Sequence, residues 1–293
     1  MDTEKCAALL CALEKGSLSA AAEEMGYTVS GMSRLVCSLE AETGFALLKR
    51  SRSGVEPTRE CELLLPAMRE LARWGESIKQ ISAGVRGLET GRVRVGISYP
   101  AYYTALARAA AGFSREHPGV EIELVEGKST ALAAMLERRE ADFCIMSRRE
   151  AACEWTKLAM DSLAVLLSAG HPLAGAEVYP AAELANEAYI DISPGEETDN
   201  SRFLAERGIS VRTRATTSDI YGALSLVGAG LGVALVNTLL AKGIDTGGRA
   251  VLKTLSPPYE VEIGVATQLR REMSPAARRF ADYALRIITG VET

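Results

Sequence analysis

Apolar side chains in residues 1–58 recur at the three- to four-residue spacing of short α-helices. The pattern predicts a first helix from about Thr3 to Lys15, with Gly16 as its left-handed cap. A second helix is predicted to start after Ser17, which can cap it, and to end near Gly26. The amino-terminal part of the chain is therefore expected to be a set of short packed helices.

A third helix is predicted from about Ser30 to Thr43, after a tight turn, and it has two different faces. Its apolar positions, spaced for a core, are Met32, Leu35, Val36 and Leu39. The more exposed faces carry Ser30, Ser33, Arg34 and Cys37. Two helices joined by a short turn, the second displaying small polar side chains and an arginine, suit a reader of the DNA major groove. A purely structural three-helix bundle is the alternative.

The segment Leu47–Val55 predicts a β-hairpin with a cationic tip. Lys49, Arg50 and Arg52 place three positive charges within four residues. Such a tip suits phosphates or a narrow minor groove. A solvated loop is the alternative for so short a charge cluster.

Between Arg59 and about Glu89 the apolar positions alternate steps of three and four, as in the seam of a coiled coil. These positions are Leu64, Ala67, Leu71, Trp74, Ile78, Ile81, Val85 and Leu88. Gly75, Gly84 and Gly87 each weaken a helix by about 1 kcal/mol relative to alanine. Since this helix needs a partner, we predict a homodimer.

Beyond Gly91 the pattern changes to alternating strands and helices, which predicts parallel strand pairs joined by right-handed crossovers. Strands are predicted at 92–97, 120–125 and 141–146, with helices at 100–116 and 130–139. The same order is predicted to recur as a strand at 163–167, a helix at 201–207 and strands at 233–236 and 261–265, before a closing helix at 274–288. Two α/β lobes fit this length, and ligands of such sheets lie beyond the carboxyl ends of the strands.

Composition and charge narrow the classes of function. The chain has 293 residues, 47% of them hydrophobic, which allows more than one core. A formal net charge of −5 argues against a protein that coats nucleic acid nonspecifically. The absence of a long apolar run and of a signal-peptide pattern predicts a cytoplasmic protein without a membrane partner.

The cysteines and histidines give no metal-binding pattern. The six cysteines form no CxxC pair, and both histidines precede a proline. We therefore expect neither a metal nor a cofactor. Scattered thiols in a cytosolic chain are usually buried apolar groups, and a redox pair of Cys144 and Cys153 is the alternative.

The order of these residues resembles the LysR-type transcription regulators over essentially the whole chain. The resemblance is carried by Gly16–Gly26 (GSLSAAAEEMG), Ser33-Arg34, Leu39-Glu40, Gly44, Leu47–Arg50 and Gly54-Val55 through Thr58. Weaker matches are His171–Ala174 (HPLA) and Val227–Ala234 (VGAGLGVA). Departures are Val29 in place of the frequent glutamine or proline, Cys61 in place of glycine, and Asn237 in place of proline. Of these, Val29 bears on base preference.

The resemblance implies an α plus α/β fold in three parts. These are a winged helix-turn-helix DNA-binding domain at 1–58, a linker and dimerisation helix at 59–90, and a periplasmic-binding-protein-like effector domain at 91–293. Its lobe I is expected at about 91–160 and 265–293, and its lobe II at about 161–264. The implied partners are double-stranded operator DNA, a small-molecule effector, and further copies in a homodimer or a tetramer made of two dimers.

For the DNA-binding site we predict Ser30, Ser33, Arg34, Arg50 and Arg52. The two hairpin arginines lie where the family has its wing, which favours DNA over the alternative that Arg34 pairs with a carboxylate such as Glu40.

For the effector site we predict polar loop residues. They are Ser98 and Tyr99 after the first strand, Ser129 and Thr130 after the second, Ser193 after Ile190–Ile192, and Ser218 before the helix that starts near Ile220. Hydroxyls and free backbone N–H groups at helix amino termini favour an anion, so a small carboxylate or other anionic metabolite is the hypothesis. Ordinary helix capping is the alternative.

Two other classes of function fit less well. Gly228–Gly232 could be the glycine run of a dinucleotide-binding dehydrogenase, but a helix precedes it and a strand follows, so we interpret it as a helix stop and tight turn. There is no nucleophile elbow, P-loop or metal-ligand cluster, and we predict no enzyme. A solute-binding protein would leave the first 90 residues unexplained.

Overall fold

The computed structural model describes residues 2–51, 54–85, 90–242 and 244–290. The chain divides into two units. The first unit comprises residues 1–92, 117–121 and 272–279, and the second comprises 93–116, 122–271 and 280–293. The predicted Arg52, Gly87 and Leu88 lie outside the described residues.

The amino-terminal helices begin and end at caps that the sequence supplies. The elements are α1 (Thr3–Lys15), α2 (Leu18–Glu24), α3 (Val29–Thr43), β1 (Leu48–Ser51), β2 (Gly54–Pro57) and α4 (Arg59–Val85). The Ser17 side chain accepts from the Ala20 backbone N–H, and the Thr28 side chain accepts from that of Gly31. Gly16 ends α1 with φ of 61°. Helix α3 begins one residue before the prediction, since Thr28 is its cap.

The core of the first unit is built mainly by apolar side chains of α1 and α3. Leu9, Met32, Val36, Leu39 and Leu47 are among its fully buried side chains. Burial of this apolar area is the main stabilising contribution to so small a helical unit.

The β1–β2 hairpin is fixed to the end of α1. The Val55 backbone N–H donates to the Gly16 carbonyl at 2.9 Å. A Cβ atom at Gly54 would lie 2.3 Å from the same carbonyl oxygen, and its φ is 130°, so only glycine fits there. The hairpin register pairs Arg50 with Val55.

The second unit is built on a sheet with strand order β4-β3-β5-β12-β6-β11-β7, in which β10 also pairs with β6. The strands are β3 (Gly91–Ile97), β4 (Val120–Glu126), β5 (Phe143–Ser147), β6 (Glu154–Ser168), β7 (Val178–Pro180), β8 (Ala188–Ile192), β9 (Arg212–Thr217), β10 (Ala234–Asn237), β11 (Ala250–Ser256) and β12 (Glu260–Thr267). The helices are α5 (Tyr103–Glu116), α6 (Ser129–Glu137), α7 (Asp199–Glu206), α8 (Ile220–Gly228), α9 (Thr238–Ala241) and α10 (Pro275–Thr289).

The predicted parallel pairing is confirmed in one half of this unit and is wrong in the other. Strands β3 and β5 are parallel. Strand β6, predicted only as 163–167, is 15 residues long and pairs antiparallel with β10, β11 and β12. Its amino half pairs with β12 and its carboxyl half with β10 and β11, so one strand belongs to both halves of the sheet. The parallel pairs of the second half are β8–β9 and β7–β11 instead.

The glycine run forms the predicted helix stop and turn. Helix α8 ends at Gly228, Gly230 has φ of 78°, and β10 begins at Ala234. Ser218 is not the cap of α8, as the capping alternative would require. Asp219 accepts the backbone N–H groups of the first turn instead. The carboxylate has two oxygens for these donors and a negative charge that the helix amino terminus favours. Within the described residues, no helix combines the length and apolarity that a membrane crossing requires.

Candidate DNA-binding surface and effector site

One face of α3 and the β1–β2 hairpin form a single polar surface. Arg50 Nη1 donates to Ser33 Oγ at 3.4 Å, so the hairpin arginine reaches across to the helix. Arg34 is exposed and its Nε donates to the Ser30 carbonyl at 3.4 Å. Four of the five predicted DNA-binding residues are thus brought onto one surface, and the fifth, Arg52, lies outside the described residues.

Glu40, which the sequence offered as an alternative partner of Arg34, binds the hairpin backbone instead. Its Oε1 atom accepts the backbone N–H groups of Leu47 and Leu48 at 2.8 and 3.2 Å. These bonds fix the start of the hairpin against α3. Glu40 is thus engaged by the hairpin backbone, while Arg34 Nε donates to the Ser30 carbonyl.

Val29 occupies the first turn of α3, where its side chain is 51% exposed. An exposed apolar side chain at the start of a recognition helix can contact the methyl group of thymine, which a glutamine would replace by hydrogen bonds. The departure noted in the sequence therefore lies on the proposed reading surface.

Helix α4 carries a stripe of exposed apolar side chains. Leu63, Trp74, Ile78 and Ile81 are 78%, 50%, 65% and 57% exposed. The predicted seam is only partly free, because Leu64 and Leu71 pack against the core of the first unit. Exposed stripes of this kind mark surfaces that another apolar surface covers.

The second unit contains a cavity of about 550 Å³. It lies between the two half-sheets, which are the two halves of the sheet that share β6. Five of the six predicted effector residues line it: Ser98, Tyr99, Ser129, Ser193 and Ser218. Thr130 contacts it indirectly, since its Oγ1 accepts from Nε of Arg149, a lining residue, at 2.9 Å. Polar side chains that follow separate strands are therefore brought together, as their positions at the strand ends predicted.

A buried ion pair at this cavity was not predicted from the sequence. Arg149 Nη2 lies 2.9 Å from Asp199 Oδ1, and the two side chains are 6% and 8% exposed. Ser147 Oγ donates to the same oxygen at 2.8 Å. On the other oxygen, Tyr99 OH donates at 3.0 Å and Asn237 Nδ2 at 3.3 Å.

The tyrosine in this network is a hydrogen-bond donor at neutral pH. Burial, followed by the charge of Asp199, raises the pKa of the Tyr99 phenol far above its usual value. The phenol stays protonated and can donate to the carboxylate. Asn237 Nδ2 lies 3.1 Å from the same phenol oxygen.

A chain of three serine hydroxyls continues this network from Ser147 to Ser98. Ser147 Oγ lies 2.9 Å from Ser129 Oγ, which also accepts the Ser147 backbone N–H at 3.1 Å and lies 3.3 Å from Ser98 Oγ. Ser98 and Ser129 are therefore committed partly to internal hydrogen bonds.

Two signals in the sequence could have revealed the missed residues. Arg149 follows the predicted strand at 141–146 by three residues, and Ser98, Tyr99, Ser129 and Thr130 follow their predicted strands by one to five residues. Asn237 was noted as a departure from the family pattern without being assigned to the site. Asp199 gave no such signal, because a carboxylate at the start of a helix is ordinarily only favourable to the helix.

The cysteines of the second unit carry free thiols. Burial raises the pKa of Cys144 to about 12, so its thiol stays protonated at pH 8. Cys37 is exposed on α3. We therefore expect a thiol reagent at pH 8 to label Cys37 quickly and Cys144 only after unfolding, because only an accessible thiol reacts.

The redox alternative is tested by treating the native protein with peroxide and counting the thiols after unfolding. We expect Cys144 and Cys153 to be recovered in full, with a Cys37→Ser variant as the control for oxidation on α3. Joint loss of Cys144 and Cys153 would support the redox pair instead.

A helix-turn-helix with a basic hairpin and a ligand-sized cavity in a two-part α/β unit define a transcription regulator that responds to a small molecule. The family models agree. Residues 4–62 match the bacterial regulatory helix-turn-helix protein of the lysR family, and residues 86–287 match the LysR substrate binding domain. The chain belongs to the LysR family of DNA-binding transcription regulators, which are not enzymes.

Relatives and solved structures extend this similarity over nearly the whole chain. The uncharacterised regulator YvbU of Bacillus subtilis is 26% identical over 272 residues, covering 92% of this chain and 93% of YvbU. Full-length OxyR C199D of Pseudomonas aeruginosa has a TM-score of 0.73 at 20% identity, covering 98% and 94% of the two chains. CbnR in complex with its target DNA has a TM-score of 0.57 at 19% identity, covering 98% and 100%.

Proposed function

We propose that α3 and the β1–β2 hairpin read operator DNA through Ser30, Ser33, Arg34, Arg50 and Arg52. The observation that carries this proposal is the contact of Arg50 with Ser33, which joins helix and hairpin into one cationic surface. An arginine on the exposed face of α3 can reach a base edge in the major groove, while hairpin cations contact phosphates.

The proposed assembly is a homodimer, or a tetramer of two dimers, held through the exposed stripe of α4. Its parts are a DNA-binding domain at 1–58, a linker helix at 59–90 and an effector domain at 91–293. Lobe I of this effector domain is about 91–160 and 265–293, and lobe II is about 161–264. The proposed location is the cytoplasm, with the DNA.

The proposed effector site is the cavity lined by Ser98, Tyr99, Ser129, Ser193 and Ser218, with Thr130 behind it. Its volume of about 550 Å³ lies within the range of small-molecule sites. We propose an anionic metabolite as its ligand, on the strength of its hydroxyls and of Arg149. A thermal-shift screen in which only neutral or cationic compounds stabilise the protein would contradict the anionic class.

Selection of bound DNA from a randomised duplex pool at two salt concentrations tests the proposed reading of DNA. Specific binding by a dimer is expected to recover an interrupted palindrome at both salt concentrations, because the two half-sites mirror the two-fold axis. Recovery of no preferred sequence, with retention that disappears as salt rises, would indicate phosphate-driven binding only.

Replacing Arg34 with alanine is expected to abolish gel retardation of the selected operator. Loss of a bidentate base contact costs about 1–3 kcal/mol in each half-site, so a dimer loses this contribution twice. The measurement is a titration of operator and of a scrambled duplex of equal length. Lys79→Ala removes one positive charge from α4 and serves as the matched control, which we expect to bind like the unchanged protein. Equal operator binding by Arg34→Ala would remove Arg34 from the site.

A further inference from the structure

The Asp199 carboxylate lies in a complete carboxylate-binding cradle. Both of its oxygens are occupied: Oδ1 accepts from Ser147 and Arg149, and Oδ2 accepts from Tyr99 and Asn237. With the side chain of this residue 8% exposed, these four donors replace its water shell almost entirely. The protein thus presents to its own aspartate the kind of donor set that a bound organic acid requires.

The central donor of the cradle is held by partners other than Asp199. Arg149 Nε donates to Thr130 Oγ1 at 2.9 Å, and Nη1 donates to Ser147 Oγ at 2.8 Å and to the Arg148 carbonyl at 3.0 Å. The Nε and Nη1 donors of the guanidinium are therefore held without the carboxylate. Removal of the carboxylate would leave a preformed cationic site, as the tightest ligand sites require.

The cradle is open to the cavity and not sealed inside the fold. Tyr99, Arg149, Asp199 and Asn237 are all among the residues that line the 550 Å³ cavity. A small molecule in that cavity can therefore reach the donors that now hold Asp199.

The charges around the cavity disfavour a second anion beside Asp199. The lining carries three carboxylates, Glu126, Asp199 and Asp219, against two cations, Lys128 and Arg149. An anion that entered while Asp199 kept its place would add to this negative excess in a partly desolvated space. An anion that takes the place of Asp199 leaves the charge of the cradle unchanged.

On the basis of the proposed effector site, we propose that the effector carries a carboxylate, which displaces Asp199 from the cradle of Tyr99, Ser147, Arg149 and Asn237. Asp199 is then a built-in competitor that sets the concentration at which the effector binds. Because effector binding exchanges one carboxylate for another, its free energy is the difference between the free energies of two similar interactions.

The exchange also changes what holds the two half-sheets together. Tyr99 follows β3, Ser147 ends β5 and Arg149 follows it. In contrast, Asp199 begins α7 and Asn237 ends β10. The ion pair joins the two sides directly. A free carboxylate in the cradle releases α7 from Arg149, so effector chemistry is coupled to the arrangement of the two halves.

Chemical rescue of an Asp199→Ala variant by acetate tests the exchange. The full-length protein is heated in sodium acetate and in sodium chloride of equal ionic strength at pH 7.5, and Tm is measured. Asp199→Ala is expected to unfold at a lower Tm than the unchanged protein in chloride, and to gain about 2–5 °C in acetate. The unchanged protein is expected to respond by less than about 1 °C, because its own carboxylate occupies the cradle.

Three variants make the rescue specific. Asp199→Asn keeps the cradle filled with a neutral amide, and acetate is expected not to raise its Tm. Adding Arg149→Met to Asp199→Ala removes the cation, and the gain in acetate is expected to vanish. Asp245→Ala deletes an exposed carboxylate in a turn and should behave as the unchanged protein does.

The inference is overturned if acetate raises the Tm of Asp199→Ala no more than that of the unchanged protein. Should Asp199→Ala prove insoluble, Asp199→Ser leaves room for formate, and the absence of a gain in formate would overturn the inference equally. Operator selection with the unchanged protein tests the proposed function separately. A protein that selects an operator while its Asp199 variants show no rescue loses this inference alone, whereas rescue without operator selection would remove only the proposed reading of DNA.

Discussion

Replacing Arg149 with methionine is expected to destabilise the second unit by about 3–5 kcal/mol, because the substitution leaves the buried Asp199 carboxylate without its counter-ion. Methionine preserves much of the apolar volume of the side chain, so the loss reports mainly on charge and hydrogen bonds. For a unit of this size the decrease in Tm is about 6–20 °C. The measurement is thermal unfolding of the full-length protein followed by circular dichroism.

Arg148→Met is the matched control for this prediction. Arg148 precedes Arg149 in sequence, but its side chain is 62% exposed and pairs with Glu262 at 3.0 Å on the surface. An exposed pair contributes about 0–1 kcal/mol, so the control should unfold within a few degrees of the unchanged protein. Equal effects of the two substitutions would contradict the importance assigned to the buried pair.

A double variant separates the loss of stability caused by breaking the ion pair from the loss caused by the smaller side chains. Arg149→Met combined with Asp199→Asn removes both charges, and the loss is expected to be smaller than the sum of the two single losses. Strict additivity of the single losses would mean that the two side chains do not stabilise each other.

Replacing Ile78 with aspartate is expected to convert the proposed dimer into a monomer. Ile78 is 65% exposed and lies between Trp74 and Ile81 on the apolar stripe of α4. In a dimer the introduced carboxylate would be buried without a partner, which costs several kcal/mol on each side of the two-fold axis. Light scattering after size exclusion is the direct measurement, at a concentration at which the unchanged protein is dimeric.

Loss of the dimer should also weaken operator binding. Two linked reading heads bind an operator about 10²–10⁴ times more tightly than one, so we expect a decrease in affinity of this order. Lys79→Asp makes a larger change of charge one residue further along the exposed surface of α4 and is the control. An Ile78→Asp protein that remains dimeric would place the interface elsewhere.

Much of the first unit could be predicted from the sequence, since its elements are defined by local signals. Ser17 and Gly16 mark helix ends through the hydrogen bonds and the backbone conformation that these residue types favour. The apolar spacing of α3 also identified its buried face. The apolar seam predicted for α4 is only partly available to a partner helix, because Leu64 and Leu71 pack against the core of their own unit.

The second unit was predictable in its first half, where strands and helices alternate along the chain. Strand β4 lies between β3 and β5 in sequence but on the other side of β3 in the sheet, and the parallel direction of β3–β5 agrees with two successive crossovers. The length of β6 and its antiparallel partners were not predictable in this way. Its pairing with β10, β11 and β12 joins segments far apart in sequence, and local periodicity carries no information on strand direction.

The helix-turn-helix, its basic hairpin, the family resemblance and the polar loop residues could be recognised from the residues alone, because caps, periodicity and turn residues act within a few positions of the chain. The buried pair of Arg149 and Asp199 with Tyr99 and Asn237 joins residues up to 138 positions apart and could be recognised only in the folded chain. A charged side chain is stable away from water only when its partners arrive from other segments, and the fold brings those segments together.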